Sequence, residues 1–196
     1  MTAVWTPIAL SRDLPVGMTR AVRLDGEELV AWRGTADGPA HVWEDRCPHR
    51  GMRLSLGFVR NNALNCLYHG WEYGPSASCQ RIPAHPDLVV PPTIKARAYR
   101  AAEAGGLVWV RRGEDAAPLP ELPALQPLTS LAIDAPPPVE PVIELALPAG
   151  RLQLRWHPVA PDRIMVHALV TADADTASAL ARLRQWRSDL EGELAA

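Results

Sequence analysis

The sequence predicts a mainly β protein with a C-terminal helix, α+β overall, in which an antiparallel β domain precedes a smaller strand-and-helix appendage. Runs rich in β-branched and aromatic residues, separated by turn residues, fill the first 112 residues. Prolines then crowd residues 113–141, and apolar residues recur at helical spacing after residue 175. We therefore expect a first domain at 1–112, a linker at 113–141 and an appendage at 142–196.

Seven short strands are predicted in the first domain, because alternating apolar residues there are bounded by turns such as Asp25-Gly26 and Asp37-Gly38-Pro39. Asn61-Asn62 predicts a hairpin turn, since asparagine tolerates a positive φ angle. The predicted strands are 3–10, 20–24, 27–33, 40–44, 63–67, 93–99 and 107–111.

The region 113–141 is predicted to be an extended linker or strap, because proline cannot donate a hydrogen bond to a sheet. The appendage should contain strands at 142–147, 151–156 and 164–171. Asp175 or Thr176 is expected to cap the helix that follows. Its apolar stripe should pack on the strands, and consists of Leu180, Leu183, Trp186, Leu190 and Leu194.

Composition limits the classes of partner. The chain has 196 residues, 47% hydrophobic content and a formal net charge of −2, which does not favour a nucleic-acid partner. No basic leader precedes an apolar core, and no segment reaches the roughly 18–20 apolar residues that span a bilayer. We therefore expect a cytoplasmic protein without a membrane partner.

Two short segments carry the chemistry of the sequence. Cys47-Pro48-His49 and Cys66-Leu67-Tyr68-His69 each supply one cysteine and one histidine, and 16 residues separate His49 from Cys66. Each pair is too close in sequence to be split by a regular element, so each must lie on a tight loop. This spacing is typical of a mixed-ligand [2Fe–2S] cluster, in which two thiolates hold one iron and two imidazoles hold the other.

A zinc site is the main alternative for this ligand set. Structural zinc sites with two cysteines and two histidines pair like with like, with cysteines two to four residues apart. The pairs here are mixed, which favours the iron–sulfur interpretation. The third cysteine, Cys79, is left without a partner in this scheme and is expected to be a small buried packing residue.

Residues 47–86 resemble the Rieske domain of bacterial ring-hydroxylating and demethylating oxygenases, and the resemblance extends over about the first 112 residues. It implies one Rieske-type [2Fe–2S] cluster, with metal ligands Cys47, His49, Cys66 and His69. The residues expected around the cluster are Gly51, Gly70, Trp71, Tyr68 and Arg50.

The sequence departs from the Rieske proteins of respiratory complexes. Those proteins carry a disulfide across the two loops, where this chain has Met52 and Tyr68, and a serine where it has Trp71. Without a disulfide or that hydroxyl near the sulfurs, we expect a potential at the lower end of the range of roughly −150 to +300 mV. Two roles are left open for the arginines on or beside the loops: a basic collar that binds an acidic electron donor, or a merely solvated surface. These arginines are Arg46, Arg50, Arg53 and Arg60.

The oxygenases also hold a mononuclear iron with two histidines and a carboxylate, usually in an acidic-x-x-His-x-x-x-x-His arrangement. That arrangement is not found in this sequence. His157 and His167, with Asp162 between them, are predicted to be ordinary strand histidines, so we predict no catalytic residue and no mononuclear iron. The appendage is similar to the closing part of an oxygenase catalytic domain, shortened.

Three functions are compatible with these patterns. The favoured one is an electron-transfer protein whose partners are a flavin or ferredoxin reductase, a terminal oxygenase, or both. The alternatives are a compact oxygenase that hydroxylates aromatics or removes O- or N-methyl groups, and a redox-sensing interaction subunit. A homo-oligomer is left open, because the oxygenases are often trimeric.

Overall fold

The computed structural model describes residues 5–113, 118–122 and 124–193. The mainly β fold with a C-terminal helix is confirmed. In chain order the elements are β1 (Trp5–Leu10), β2 (Thr19–Leu24), β3 (Glu27–Trp32), β4 (His41–Glu44), β5 (Phe58–Arg60), β6 (Ala63–Asn65), β7 (Glu72–Tyr73), β8 (Cys79–Arg81), β9 (Ala98–Ala104), β10 (Leu107–Arg111), β11 (Leu125–Ile133), β12 (Val142–Ala146), β13 (Arg151–Ala160), β14 (Arg163–Thr171) and α1 (Thr176–Glu193).

The first half contains two antiparallel sheets. The larger has the strand order β1-β10-β9-β4-β3-β2, and the smaller has the order β5-β6-β7-β8. Asn61 and Asn62 adopt φ angles of 51° and 55°, so the predicted hairpin turn between β5 and β6 is confirmed. The smaller sheet matters for function, because the chain leaves β6 and enters β7 through the second cysteine–histidine segment.

The strand predicted at 93–99 is wrong in position. The strand is β9, which begins at Ala98 and pairs with both β4 and β10. Its sequence, AYRAAEA, is rich in alanine and charge rather than in β-branched residues, so the hydrophobic pattern did not mark it. Hydrogen bonding on both edges makes it a strand despite that composition.

The predicted linker is also wrong in part, because β11 (Leu125–Ile133) lies within it. This strand pairs with β14 at the edge of a second-half sheet with the order β11-β14-β13-β12. The ladder shifts register between Pro127 and Thr129. An edge strand with an irregularity is where a sheet tolerates proline, which explains how a proline-containing segment forms a strand here.

The predicted appendage strands correspond to β12, β13 and β14, although β13 continues to Ala160. Asp175, rather than Thr176, caps α1, because its carboxylate accepts a hydrogen bond of 2.8 Å from the Ser178 amide. Ala179 and Leu183 of the helix are buried in the apolar cluster that it forms with the sheet. Leu194, the last member of the predicted stripe, lies outside the described residues.

The second-half sheet packs directly on the larger sheet of the first half. Leu10 and Trp109 of the first sheet share an apolar cluster with Leu125 and Leu169 of the second. The Asp25 amide donates to the Pro158 carbonyl at 2.6 Å, and the neighbouring Gly26 amide donates to the Val159 carbonyl. The two sheets are therefore joined by a continuous interface. Within the described residues, no helix combines the length and the hydropathy that a bilayer span requires.

Candidate metal centre

The two cysteine–histidine segments fold into loops of the same shape. In the first, the Cys47 amide donates to the Met52 carbonyl and the Gly51 amide donates back to the Cys47 carbonyl, both at 2.8 Å. In the second, the Cys66 amide donates to Trp71 and the Gly70 amide to Cys66, both at 2.9 Å. Each loop is thus closed by the same pair of hydrogen bonds around its cysteine.

Both loops need their glycine. Gly51 and Gly70 adopt φ angles of 74° and 69°, in the left-handed region that other residues rarely occupy. A Cβ at Gly70 would also come within 3.2 Å of Pro83. Glycine at these two positions therefore allows the sharp turn of each loop.

The loops bring the four predicted ligands together as two pairs. The His49 and His69 Nδ1 atoms lie 3.1 Å apart. Two nitrogens bound to one tetrahedral metal ion at about 2.1 Å would be separated by about 3.4 Å, so this spacing suits a shared ion. The Cys66 thiol lies within hydrogen-bonding reach of Cys47. The arrangement is therefore a sulfur pair and a nitrogen pair.

The cysteine pair and the histidine pair differ in burial. Cys47 and Cys66 are each 2% exposed, whereas His69 is exposed and His49 partly so. Among the described residues, no three Cys, His, Asp or Glu side chains gather as they would around a single ion. Two separate pairs suit a two-metal cluster with sulfur inside and nitrogen outside better than a single zinc ion.

A buried tyrosine contacts the sulfur pair. The Tyr73 hydroxyl lies 3.2 Å from the Cys47 Sγ and is fully buried. Burial, and next the hydrogen bond to Cys47, raise the pKa of Tyr73 above its usual value. The phenol therefore keeps its proton and can donate it in a hydrogen bond to a thiolate.

This tyrosine changes one expectation. The sequence predicts sulfurs without a hydroxyl hydrogen bond, because Trp71 replaces a serine, but Tyr73 supplies one from another position. The residue was missed because it lies on β7, a two-residue strand with no alternation to reveal which way its side chain points. The one feature of the sequence that pointed to Tyr73 is its position two residues after Trp71.

Aromatic side chains cover the imidazole pair. The Trp71 ring stacks on His49 with a centroid distance of 4.2 Å and an interplanar angle of 7°. Tyr68 lies against His69 with centroids 3.8 Å apart, and its side chain is exposed. Trp71 and Tyr68 thus contact one imidazole each, as shields of the site would.

Comparison with known proteins identifies a domain in the first half of the chain. The model of the Rieske [2Fe-2S] domain matches residues 4–94, which include both loops and all four candidate ligands. The chain contains a Rieske [2Fe–2S] domain. Such a domain implies a [2Fe–2S] cluster, and the donor set described above fits one.

Relatives that share this domain include an oxidoreductase and an oxygenase subunit. The chain is 39% identical over 111 residues to the oxidoreductase NdmD of Pseudomonas putida, covering 56% of this chain and 19% of that protein. It is 36% identical over 130 residues to the 3-chlorobenzoate-3,4-dioxygenase oxygenase subunit of Comamonas testosteroni, covering 65% and 30% respectively. The chain therefore spans less than a third of the length of these curated relatives.

Solved structures share the fold beyond the Rieske domain. NdmB of Pseudomonas putida superposes with a TM-score of 0.77 at 21% identity, covering 95% of this chain and 80% of that one. Dicamba monooxygenase superposes with a TM-score of 0.66 at 19% identity, covering 85% of this chain and 75% of that one. The similarity to NdmB includes the second-half sheet, because the Rieske match alone ends at residue 94.

The arginines near the Rieske loops differ in their pairing. Arg53 forms an ion pair with Glu28. Arg46 lies along the first loop, since a Cβ at Gly51 would be 3.4 Å from its Nε. Arg50 is close enough to His49 to contribute, after burial and His69, to lowering the pKa of that histidine. Arg60 is exposed at the end of β5.

Cys79 lies in the same apolar cluster as both ligand cysteines. It is buried, and its Sγ lies 3.6 Å from the Arg81 carbonyl. Burial is the main cause that raises the pKa of its thiol, which keeps the sulfur protonated and unreactive. These surroundings agree with a packing role.

The two strand histidines of the second half also meet. His167 Nε2 lies 3.2 Å from His157 Nδ1, and His167 Nδ1 lies 2.8 Å from the Ser130 hydroxyl. Both rings are buried where the second-half sheet meets the first, and the Pro7 backbone faces the His157 ring. Burial lowers the pKa of His157 to about 4 and that of His167 to about 3. Both are therefore neutral at pH 7.

Asp162, the third residue considered for a mononuclear iron, is in the exposed turn between β13 and β14. No described hydrogen bond or ion pair joins it to His157 or His167. Asp162 nevertheless lines the same cavity as His157, together with Asp134.

Proposed function

We propose that this chain is a one-electron carrier in a non-haem iron oxygenase system, with the cluster held by Cys47, His49, Cys66 and His69. The observation that carries the proposal is the opposite burial of the two ligand pairs, thiols inside and imidazoles at the surface. When bound, a Rieske cluster accepts and releases a single electron at a potential above that of an all-cysteine cluster.

The protein side chains set the conditions for that transfer. The buried thiols are kept from solvent and oxidants, and Tyr73 donates a hydrogen bond that stabilises added negative charge. Trp71 stacks on His49 and restricts the orientation of that ring. The exposed imidazole edges give a partner the shortest route to the site, because no backbone lies between them and the solvent.

Partners follow from this assignment. The proposed electron donor is a flavin or ferredoxin reductase, and the proposed acceptor is a terminal oxygenase, since relatives of the domain include an oxygenase subunit and an oxidoreductase. Unpaired thiol ligands suit a reducing compartment, so we place the protein in the cytoplasm.

A compact oxygenase is the second candidate, because the fold is shared with dicamba monooxygenase over 85% of this chain. It would need a mononuclear iron. The buried histidine pair is a poor source of ligands, since the Ser130 hydroxyl contacts Nδ1 of His167 and no described hydrogen bond or ion pair joins either ring to a carboxylate.

Metal analysis separates the candidates. The protein should be purified anaerobically, its iron and acid-labile sulfide quantified, and the reduced form studied by electron paramagnetic resonance. Two irons and two sulfides per chain, with a Rieske-type spectrum and no substrate turnover, are expected of a carrier. A third iron per chain, together with substrate turnover, would contradict the carrier assignment. Stoichiometric zinc without sulfide would contradict both the carrier and the oxygenase assignments.

A further inference from the structure

The outer edge of strand β12 has no partner in the described part of the chain. The second-half sheet has the order β11-β14-β13-β12, so β12 is paired with β13 on one side only. No other backbone hydrogen bond of the described residues involves 142–146. In an antiparallel edge strand, alternate residues direct their N–H and C=O groups away from the sheet. β12 can therefore accept one more strand.

The other long edge strands are interrupted or charged. β11 and β1 each have a register shift that begins at a proline, at Pro127 and Pro7 respectively. β2 carries Arg20 and Arg23. Such features keep an exposed edge from pairing with another chain. β12 has no register shift, and Glu144 is its only charged residue. It is therefore the edge best suited to pair with another strand.

One face of β12 is apolar and incompletely covered. Ile143, Leu145 and Leu147 alternate along the chain and pack against the apolar cluster beneath α1, yet all three remain partly exposed. α1 lies mainly over β11 and β13. A strand that completes this face must carry apolar residues at every second position. β12 itself has that pattern.

We propose that a second copy of this chain pairs with this edge, β12 against β12 in antiparallel orientation, so that two four-stranded sheets become one sheet of eight strands. A two-fold axis at Leu145 places Leu145 opposite its own copy and Ile143 opposite the second copy's Leu147. Directly opposed residues lie on the same face of a sheet, so the apolar stripe continues across the interface. A self-complementary contact of this kind closes as a dimer.

Charge favours this register. A two-fold axis at Glu144 would place two carboxylates directly opposite each other, which is destabilising. With the axis at Leu145, Glu144 lies opposite Ala146 of the second copy. Ala146 is paired with Arg151 on β13, and Arg151 already forms an ion pair of 3.4 Å with Glu144 of its own chain. A cation therefore lies on the same face as both carboxylates. An unrelated strand would have to match this charge and the apolar alternation together, whereas β12 matches both by symmetry.

Sedimentation velocity of the purified holoprotein tests for the dimer. Pairing of one short edge on each chain buries a small area, so we expect a Kd of about 10–100 µM. The protein should sediment as a monomer at about 5 µM and largely as a dimer at about 500 µM.

Two substitutions at one exposed position test the register. Ala146→Glu places a carboxylate opposite Glu144 of the second copy, twice per dimer, and should raise the Kd by about three- to tenfold. Ala146→Lys places a cation there and should lower the Kd by a similar factor. Within one chain the signs are reversed, because Ala146 is paired with Arg151. An effect on folding alone would therefore run in the opposite direction.

The matched controls are Ala84→Glu and Ala84→Lys, which make the same changes of charge at an exposed loop position. Both should leave the Kd unchanged. Equal Kd values for the two Ala146 variants, or a change in Kd as large in the controls, would overturn the proposed pairing.

Hydrogen exchange measured by mass spectrometry locates the contact. Peptides that cover residues 142–147 should exchange more slowly at about 500 µM than at about 5 µM, while peptides from β11, at the opposite edge of the sheet, should not change. A protein that is monomeric at both concentrations, or an oligomer without added protection at 142–147, would contradict the proposal. These measurements do not involve electron transfer, so their outcome is independent of the proposed carrier function.

Discussion

The molecule contains two histidine pairs with nearly the same spacing and opposite surroundings. His49 and His69 place ring nitrogens 3.1 Å apart at the surface above two buried thiols. His157 and His167 place theirs 3.2 Å apart in the interior, where Ser130 contacts the second ring nitrogen of His167. Spacing alone therefore does not identify a metal site. Accessible nitrogen lone pairs and adjacent thiolates do.

The largest expected effect is loss of the cluster when one ring of the surface pair is removed, compared with its retention when one ring of the buried pair is removed. His69→Ala deletes a proposed ligand, so iron and acid-labile sulfide per chain should fall to near zero. His167→Ala should leave both near two per chain, although the unpaired Ser130 and His157 should lower the free energy of unfolding by about 1–3 kcal/mol. Loss of the cluster in the His167 variant alone would reverse the roles we assign to the two pairs.

Acid should destabilise the folded protein through the buried pair, His157 and His167. The pKa values of His157 and His167 are lowered by burial, so the unfolded chain binds protons below about pH 6.5 that the folded chain excludes. Stability is complete above that pH and falls by about 1.4 kcal/mol per pH unit for each such proton as the pH decreases towards about 4. Urea unfolding, followed by circular dichroism at several pH values, measures this slope.

A double variant sharpens the pH test. H157N/H167N should flatten the slope, while replacement of the exposed His85 with asparagine should not change it. His41, whose pKa is also lowered by burial, is present in every variant and contributes a common background. A slope as steep in the double variant as in the unmodified protein would refute the role of the buried pair.

The hydroxyl of Tyr73 should raise the reduction potential. Its hydrogen bond to the Cys47 sulfur favours the reduced, more negative state, so Tyr73→Phe should lower the potential. A difference of about 1 kcal/mol between redox states corresponds to about 40 mV for one electron. Tyr99→Phe is the matched control, because Tyr99 bonds to Glu27 instead. Redox titration with equal potentials for both variants would exclude this effect.

The smallest expected effect concerns the stacking of Trp71 on His49. An aromatic pair contributes about 0.5–1.5 kcal/mol beyond its buried area, so Trp71→Leu should speed loss of the cluster to a chelator by a few-fold to about tenfold. Trp186→Leu, on α1, should leave the rate unchanged. Bleaching of visible absorbance follows the reaction. Identical rates would show that the stack does not protect the site.

The sequence was most informative where function depends on neighbouring residues. Both ligand loops are short, so the type and order of Cys47, His49, Cys66 and His69 indicated their geometry directly. The same held for the hairpin turn at Asn61-Asn62, whose residues tolerate the required φ angles. The family resemblance found in these segments agrees with the Rieske match at residues 4–94.

Features that depend on distant segments were missed. Tyr73 reaches Cys47 only because a two-residue strand turns its side chain inward. β11 forms despite Pro127 because β14 offers it an edge, and β9 forms despite its alanines because strands flank it on both sides. The contact between His157 and His167 depends on the register of β13 and β14, which pairs Arg155 with His167. None of these pairings is encoded in local periodicity.

The central claim is that the Nδ1 atoms of two histidines bind one iron of the cluster. Pulsed electron paramagnetic resonance of the reduced protein, grown with histidine labelled with ¹⁵N at Nδ1, tests it directly. We expect two ¹⁵N couplings, both lost in His69→Ala and both retained in His167→Ala. A reduced spectrum without any coupling to the labelled nitrogens would contradict it.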